Sequence, residues 1–147
     1  MTKELFSGFH EELIDRLKLD SGQCHLFAVE LGKQLNQNYS IFIGIRLEYD
    51  NEAEEILSSF SHAVVDIDGV DYDCRGKGAS ERWESQWDES ENIEFNWIRI
   101  SNSPSIDEVL LAISSRNLSY VLPDHEHLEE LRNAIAENVG AANNKRP

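Results

Sequence analysis

The chain has 147 residues, and its 40% share of hydrophobic residues suffices for one domain with a core that needs no disulfide or structural metal. Its 28 acidic and 13 basic residues give a formal net charge of −15, which repels phosphate backbones and argues against direct nucleic-acid binding. The same charge is compatible with a protein that imitates a nucleic acid, and with a surface that is simply well solvated.

The N-terminal segment lacks the cationic and apolar regions of a signal peptide, and no window approaches about 18 uninterrupted apolar residues. We therefore expect a cytoplasmic protein without membrane association. Cys24 and Cys74 show neither CxxC nor zinc-ligand spacing, so we expect free thiols in a reducing compartment.

The first part of the chain carries two helical patterns. Apolar residues recur at steps of three and four over residues 3–18, which predicts an amphipathic helix. After the breaker Asp20-Ser21-Gly22, a second helical pattern covers residues 23–35. Cys24 is therefore expected in the first turn of the second helix.

The middle of the chain changes to the period of a strand. Alternation predicts strands over residues 41–49 and 93–100, and a polar stretch, 51–59, follows the first of these strands. Two alternating runs, 62–67 and 70–75, flank Asp68-Gly69, which indicates a hairpin with a two-residue turn. Residues 76–90 are predicted to form a loop or one short helix.

Two helices are predicted near the C-terminus. Ser103-Pro104 indicates the start of a helix that continues to about Ile113, and Asp124 is expected to cap the last helix. Residues 140–147 are expected to form a flexible tail. The element order predicts one α+β domain over residues 1–139, in which a mostly antiparallel sheet packs against the Cys24 helix and flanking helices.

The hairpin register separates apolar from polar residues. A two-residue turn creates the apolar pairs Ile67–Val70, Val65–Tyr72 and Ala63–Cys74 on one face. On the other face His62 is expected opposite Arg75, with Asp73 as its diagonal neighbour. A carboxylate in that position can orient the imidazole of a general base.

Cys24 is the candidate nucleophile that this pair requires. The positive end of a helix dipole and the unpaired amides of a first turn favour a thiolate, and a neighbouring imidazolium favours it further. The same backbone amides, that of Cys24 first, can stabilise an oxyanion during acyl transfer.

The segment Gly22-Gln23-Cys24-His25 at a helix start, followed by His62 and Asp73 on adjacent strands, resembles the papain-like or transglutaminase-like cysteine hydrolases, a superfamily that includes the NlpC/P60 peptidases. The resemblance covers about residues 20–76. It implies that Cys24 is the nucleophile, that His62 is the general base and acid, and that Asp73 orients His62. His25 stands where many papain-like peptidases have tryptophan.

Other residues of the expected site have two interpretations. Gln23 and His25, which flank the nucleophile, and Trp83, in the irregular segment, are candidate substrate-binding residues. For Trp83 a core position is the default interpretation, and a wall of the substrate site is the functional alternative. No metal or cofactor is predicted. The aspartates around the hairpin turn suit a hard cation in principle, but their spacing does not match an EF-hand loop, and a solvated hairpin tip is the preferred interpretation.

Two functions from different classes follow. The first is a small thiol hydrolase or acyl-transfer enzyme that acts on an amide, peptide or isopeptide bond of a basic or neutral protein or peptide. The alternative is a non-catalytic acidic protein that occupies a basic surface of a partner as a nucleic-acid mimic, in which case Cys24 is an inert core thiol. Residues 48–94 hold 15 acidic and 3 basic residues, a net −12 of the total −15.

Overall fold

A computed structural model describes residues 4–35, 38–87 and 92–144 of the chain, with side chains described up to Gly140. The elements in chain order are α1 (Glu11–Leu17), α2 (Cys24–Gln34), β1 (Ser40–Asp50), β2 (Glu55–Ile67), β3 (Val70–Asp73), β4 (Gly76–Lys77), α3 (Ala79–Ser85), β5 (Ile93–Ile100), α4 (Ile106–Ser114) and α5 (Leu128–Asn144).

The strands form one antiparallel sheet in the order β4-β3-β2-β1-β5. Helix α2 packs against β2 and also touches β1 and β3, while α4 and α5 contact α2. The core lies between these layers and includes the fully buried Ile41, Ile43 and Val65 of the sheet. The predicted α+β class and the packing of the Cys24 helix on the sheet are confirmed.

The N-terminal segment is only partly helical. The sequence pattern predicts a helix from residue 3, but α1 begins at Glu11. Gly8 has a φ of 96°, and an added Cβ would lie 2.4 Å from the carbonyl oxygen of Arg75, so the chain passes the β3–β4 turn in a conformation that a helix does not allow. Phe6 on this irregular segment is fully buried beside Phe27 of α2.

The first hairpin is longer than its sequence pattern predicts. Residues 55–59 belong to β2 and pair with β1 from Asp50↔Glu55 onward, whereas the alternating run that predicts this strand begins only at residue 62. The side chain of Asp50 accepts hydrogen bonds from the amides of Glu52 and Ala53, which closes the turn between the strands. Alternation fails as a signal here because residues 55–59 are exposed on both faces of the sheet.

The second hairpin confirms the predicted register at its turn. Val65 pairs with Tyr72, Asp66 with Asp71, and Ile67 with Val70. The pairing ends there, because β3 stops at Asp73 and turns through residues 74–75 into β4. The predicted strand over 70–75 is therefore too long, and the expected pairing of His62 with Arg75 is wrong. The side chain of Arg75 instead forms ion pairs with Glu11 and Asp20.

The predicted helix boundaries near the C-terminus shift. The cap of α4 is Ser105 in a capping box with Glu108, not Ser103. Asp124 accepts hydrogen bonds from the amides of Glu126 and His127 in a turn that precedes α5. Helix α5 continues to Asn144, past the predicted boundary at residue 139, and residues 145–147 of the predicted tail lie outside the described residues.

A glycine in the centre of the sheet positions α3. Gly44 lies between His62 of β2 and Trp97 of β5, and an added Cβ would lie 2.7 Å from the Trp97 ring. The indole of Trp97 therefore rests on the strand and donates a 2.7 Å hydrogen bond to Glu84 of α3. This contact ties α3, which carries Arg82 and Trp83, to the sheet at the position of His62.

Candidate active site

Cys24 is the first residue of α2, as its sequence context predicts. Gln23 is the N-cap residue, and Cys24 is 5% exposed. At a helix start the first amides have no partner within the helix. The Leu26 amide donates to the side chain of His25, which leaves the amides of Cys24 and His25 as candidate oxyanion donors.

His62 and Asp73 form a buried pair, so the predicted contact between the two side chains is confirmed although the strand pairing expected around it is absent. Both side chains are almost completely buried, and His62 Nε2 lies 2.9 Å from Asp73 Oδ2. The second ring nitrogen of His62, Nδ1, is buried and forms no hydrogen bond of ordinary geometry with the described residues. The carboxylate therefore fixes the ring through one nitrogen and leaves the other for a reacting group.

Cys24 is the group that interacts with this ring from α2. Burial by itself would lower the pKa of His62, but the bonds to Asp73 and the attractive interaction with Cys24 outweigh burial and raise the pKa to about 9. A pKa in that range keeps His62 an imidazolium at neutral pH. The sequence-predicted residues Cys24, His62 and Asp73 therefore meet at one place.

Asp73 is held by more than His62. Its Oδ1 accepts a 2.9 Å hydrogen bond from the amide of Arg75 and forms an ion pair with Arg82 of α3. Burial alone would raise the pKa of Asp73, but the bonds to His62 and Arg75 and the charge of Arg82 lower it below its usual range. The carboxylate is consequently charged and fixed in orientation.

Trp83 covers the imidazole. Its ring stacks on His62 with a centroid separation of 4.1 Å and an interplanar angle of 8°, and its Nε1 donates a 2.9 Å hydrogen bond to Ser61. A face-on indole attracts an imidazolium and restricts access of water to it. Trp83 was predicted to line the substrate site, and the structure places it against the general base candidate.

An open pocket of about 400 Å³ lies beside Cys24. Its lining residues are Asp20, Ser21, Gly22, Cys24, Phe60, Ser61, Ser119, Tyr120 and Val121. The register of β1 against β2 shifts between Gly44↔His62 and Ile45↔Phe60, which leaves Ser61 as the additional residue of a β-bulge. Phe60 and Ser61 therefore face the pocket, while the adjacent His62 contacts Asp73 and Trp83.

Gln23 and His25 support one wall of this pocket. Gln23 Nε2 donates to the Leu122 carbonyl at 2.9 Å, and its Oε1 accepts from the Asp124 amide at 2.8 Å. His25 Nε2 donates to the Val121 carbonyl at 2.7 Å, and burial lowers the pKa of His25, which is consistent with a neutral ring. Both side chains use polar atoms to hold the segment 121–124, and their contact with a substrate stays a prediction.

Cys74 differs sharply from Cys24. It is 1% exposed, and its thiol donates to Asp20 at 3.2 Å. Burial, followed by the nearby acidic groups, raises the pKa of the Cys74 thiol well above its usual range. Cys74 therefore remains a protonated core thiol, and Cys24 is the candidate nucleophile of the two.

Among residues 4–35, 38–87 and 92–144, one group of three side chains has the spacing of metal ligands, and it consists of Asp124, Glu126 and His127. His127 is already bound to Asp124 at 2.7 Å, and all three side chains lie at the surface or near it. The aspartates of the hairpin tip do not converge in this way; Asp71, for example, accepts the amide of Ser80.

Two contributors to the site were not identified from the sequence. Arg82, the ion-pair partner of Asp73, is one of only three basic residues between positions 48 and 94, and that isolation was the available signal. No sequence pattern indicated the pocket wall at 119–121, because the hydrogen bond between His25 of α2 and Val121 joins residues about 100 positions apart. Its position depends on the fold as a whole.

Comparisons with known proteins add no identification. No family model, curated protein or solved structure matches the chain. The helices in the part of the chain that the structure describes include none with the length and apolar character needed to cross a membrane.

Proposed function

We propose that the protein is a cysteine-dependent hydrolase or acyl-transfer enzyme acting on an amide, peptide or isopeptide bond, with a cytoplasmic location suggested by its two free thiols. The observation that carries the proposal is the buried His62, which is bound to Asp73 through Nε2 and interacts with Cys24 while Nδ1 remains available. A purely structural histidine would gain stability from a partner at both nitrogens.

The chemistry follows from the charge on His62. The Cys24 thiolate attacks the carbonyl carbon of a substrate, and the imidazolium donates its proton to the departing amine as the carbon–nitrogen bond breaks. The neutral imidazole then takes a proton from water, whose oxygen attacks the thioester and releases the acid and the thiolate. An amine in place of water gives transfer instead of hydrolysis.

The residues that surround Cys24 and His62 support the reaction. Asp73 stabilises the imidazolium and keeps its ring in one orientation, and Arg82 keeps Asp73 charged. The amides of Cys24 and His25 stabilise the oxyanion, and Trp83 limits water at the ring. The pocket of about 400 Å³ beside the thiol receives the acyl group.

Acylation by p-nitrophenyl acetate tests the proposal, because it needs the nucleophile and its base but no natural substrate. Mass spectrometry of proteolytic fragments should locate the acetyl group on Cys24, while Cys74 serves as an internal control. His62→Gln should reduce the acylation rate about a hundredfold with the circular dichroism spectrum unchanged. Equal rates in the two proteins, or acetylation of Cys74 alone, would exclude the proposed site.

The non-catalytic alternative is a protein that binds a basic partner through its acidic surface. The acidic residues of segment 48–94 support it, since they would serve binding whether or not Cys24 reacts. Association with a basic partner that is retained in Cys24→Ala, together with an unreactive Cys24 in the acylation experiment, would favour this alternative.

A further inference from the structure

Over most of its length, one edge of β2 has no strand partner among the described residues. Strand β1 pairs with β2 from Glu55 to Asp66, but on the opposite side β3 pairs only with residues 65–67 among the described parts of the chain. We call residues Glu55–Ser61 the open edge. An unpaired edge offers a row of backbone donors and acceptors to another extended chain.

The open edge is poorly protected against such pairing. Residues 55–59 are all exposed, and Ile56 and Leu57 are 63% and 49% exposed. The edge contains no proline and no lysine, and Glu55 is its sole charged residue. Proteins usually place lysine, proline or a covering segment at an edge that has to stay unpaired.

The open edge leads into the candidate active site. By the register with β1, Ile56, Ser58 and Phe60 share one face of the sheet, with Tyr49 opposite Ile56 and Ile45 opposite Phe60. Phe60 and Ser61 line the pocket that contains Cys24. An extended chain that is paired with residues 55–59 would therefore continue directly towards the thiol.

The charge around the open edge selects the kind of chain. The neighbouring strand and turn contribute Asp50, Glu52 and Glu54, whereas Glu48 is paired with Arg46 of the same strand. Glu94 of β5 lies on the other side of β1. Tyr49, Ile56 and Leu47 form a small apolar depression within this acidic surround. A peptide in which lysine or arginine alternates with apolar residues matches both the acidic surround and the apolar depression.

We propose that the open edge binds an extended, cationic peptide segment by β-strand addition and presents it to Cys24. The proposal rests on the proposed function for its claim that the bound segment is the substrate. A second copy of the chain is disfavoured as the occupant, because edge-to-edge pairing would bring together two molecules with a net charge of −15 each.

The test measures binding by calorimetry in the Cys24→Ala protein, so that its outcome is independent of catalysis. The probe is a ten-residue peptide of alternating lysine and valine, and the matched probe has the same sequence with N-methyl groups on alternate backbone amides. We expect the N-methylated peptide, which keeps the charge but loses several backbone hydrogen bonds, to bind about tenfold more weakly or worse.

Variants of the protein locate the binding surface. Ile56→Lys should weaken binding of the unmodified peptide, whereas Leu111→Lys, at a 68% exposed position of α4, should leave it nearly unchanged. Four results would overturn the proposal. The two peptides could bind equally well or not at all, the two variants could have equal effects on binding, or the protein could form a dimer that Ile56→Lys dissociates. Acylation of Cys24 that persists alongside any of these results would leave the proposed enzyme intact and refute strand addition alone.

Discussion

At the scale of single residues, the pair His62–Asp73 explains most of the local electrostatics. Each side chain is buried, and neither would hold a charge there without the other. Burial is the largest influence on both pKa values, and in both cases hydrogen bonds and opposite charges overcome it. The interior therefore contains an ion pair, held on one side by Arg82 and covered by Trp83.

This pair makes stability depend on pH in a defined direction. The pKa of His62 rises from the ordinary 6.5 to about 9 on folding, so its contribution is complete below pH 6.5 and disappears as the pH rises through about 9. The difference corresponds to about 3 kcal/mol. Asp73, with its lowered pKa, contributes above the ordinary aspartate pKa, and its contribution is lost as the pH falls.

Urea unfolding measured between pH 5 and pH 10 checks this expectation. The free energy of unfolding should decline across the alkaline range in the native sequence, and His62→Gln should make that decline much shallower. A variant with the same alkaline decline as the native sequence would assign the loss of stability to other groups.

Part of the site can be predicted at this scale. Cys24, His62 and Asp73 follow from a helix start and one hairpin register, both of which are local patterns. Arg82 and the bulge at Ser61 do not, because an ion pair from a separate helix and a register shift against β1 depend on tertiary packing. The hydrogen bonds of Gln23 and His25 could not be predicted for the same reason, since their partners lie about 100 positions away.

At the scale of elements, α3 is the part of the fold that completes the site. It carries Arg82 to Asp73 and Trp83 to His62, and Trp97 fixes it to the sheet through Glu84. The position of Trp97 requires the absence of a side chain at Gly44. Gly44, the cross-strand partner of His62, therefore affects the site through the packing of Trp97.

Gly44→Ala should destabilise the protein by about 1–3 kcal/mol, because the new methyl group overlaps the Trp97 ring in the packed sheet. Acylation of Cys24 should fall as well, since α3 loses its anchor. Gly140→Ala is the matched control. The added methyl group has no described atom within 4 Å, and alanine within a helix adds up to about 1 kcal/mol of stability relative to glycine. Thermal unfolding of both variants distinguishes overlap from a general effect of the substitution.

The elements also show where sequence patterns stop being informative. Strand β5 and helix α2 have clear apolar periods and were predicted within a few residues. Residues 55–59 carry no period because both of their faces are exposed, and residues 4–10 carry a helical period that Gly8 prevents from forming. The first segment becomes a strand by pairing with residues 46–50 of the same hairpin, and the second is shaped by the contact of Gly8 with Arg75, far away in the sequence.

At the scale of the whole molecule, the charge is uneven. Segment 48–94 holds a net −12 of the total −15, and it includes both the open edge and the hairpin that carries His62 and Asp73. A field of this sign concentrates cations near the surface and repels anions, and added salt weakens it. The acidic surface therefore favours a cationic substrate for the proposed enzyme.

Acylation by a cationic ester should accordingly be faster than acylation by a neutral ester with the same leaving group. The rate advantage of the cationic ester should shrink as ionic strength rises from 10 mM to 500 mM, because the screening length falls from about 30 Å to about 4 Å. The neutral ester should react at a nearly constant rate. Stopped-flow measurement of both rates checks this. Equal salt dependence for the two esters would show that the surface charge does not guide the substrate.

The central claim is that His62 activates Cys24, and alkylation of Cys24 by iodoacetamide as a function of pH tests it most directly. The interaction of Cys24 with a protonated His62 predicts fast alkylation of Cys24 at pH 6–7, slow alkylation of Cys74, and loss of the fast reaction in His62→Gln. Slow alkylation of Cys24 at pH 6–7, or a rate that His62→Gln does not change, would contradict the account.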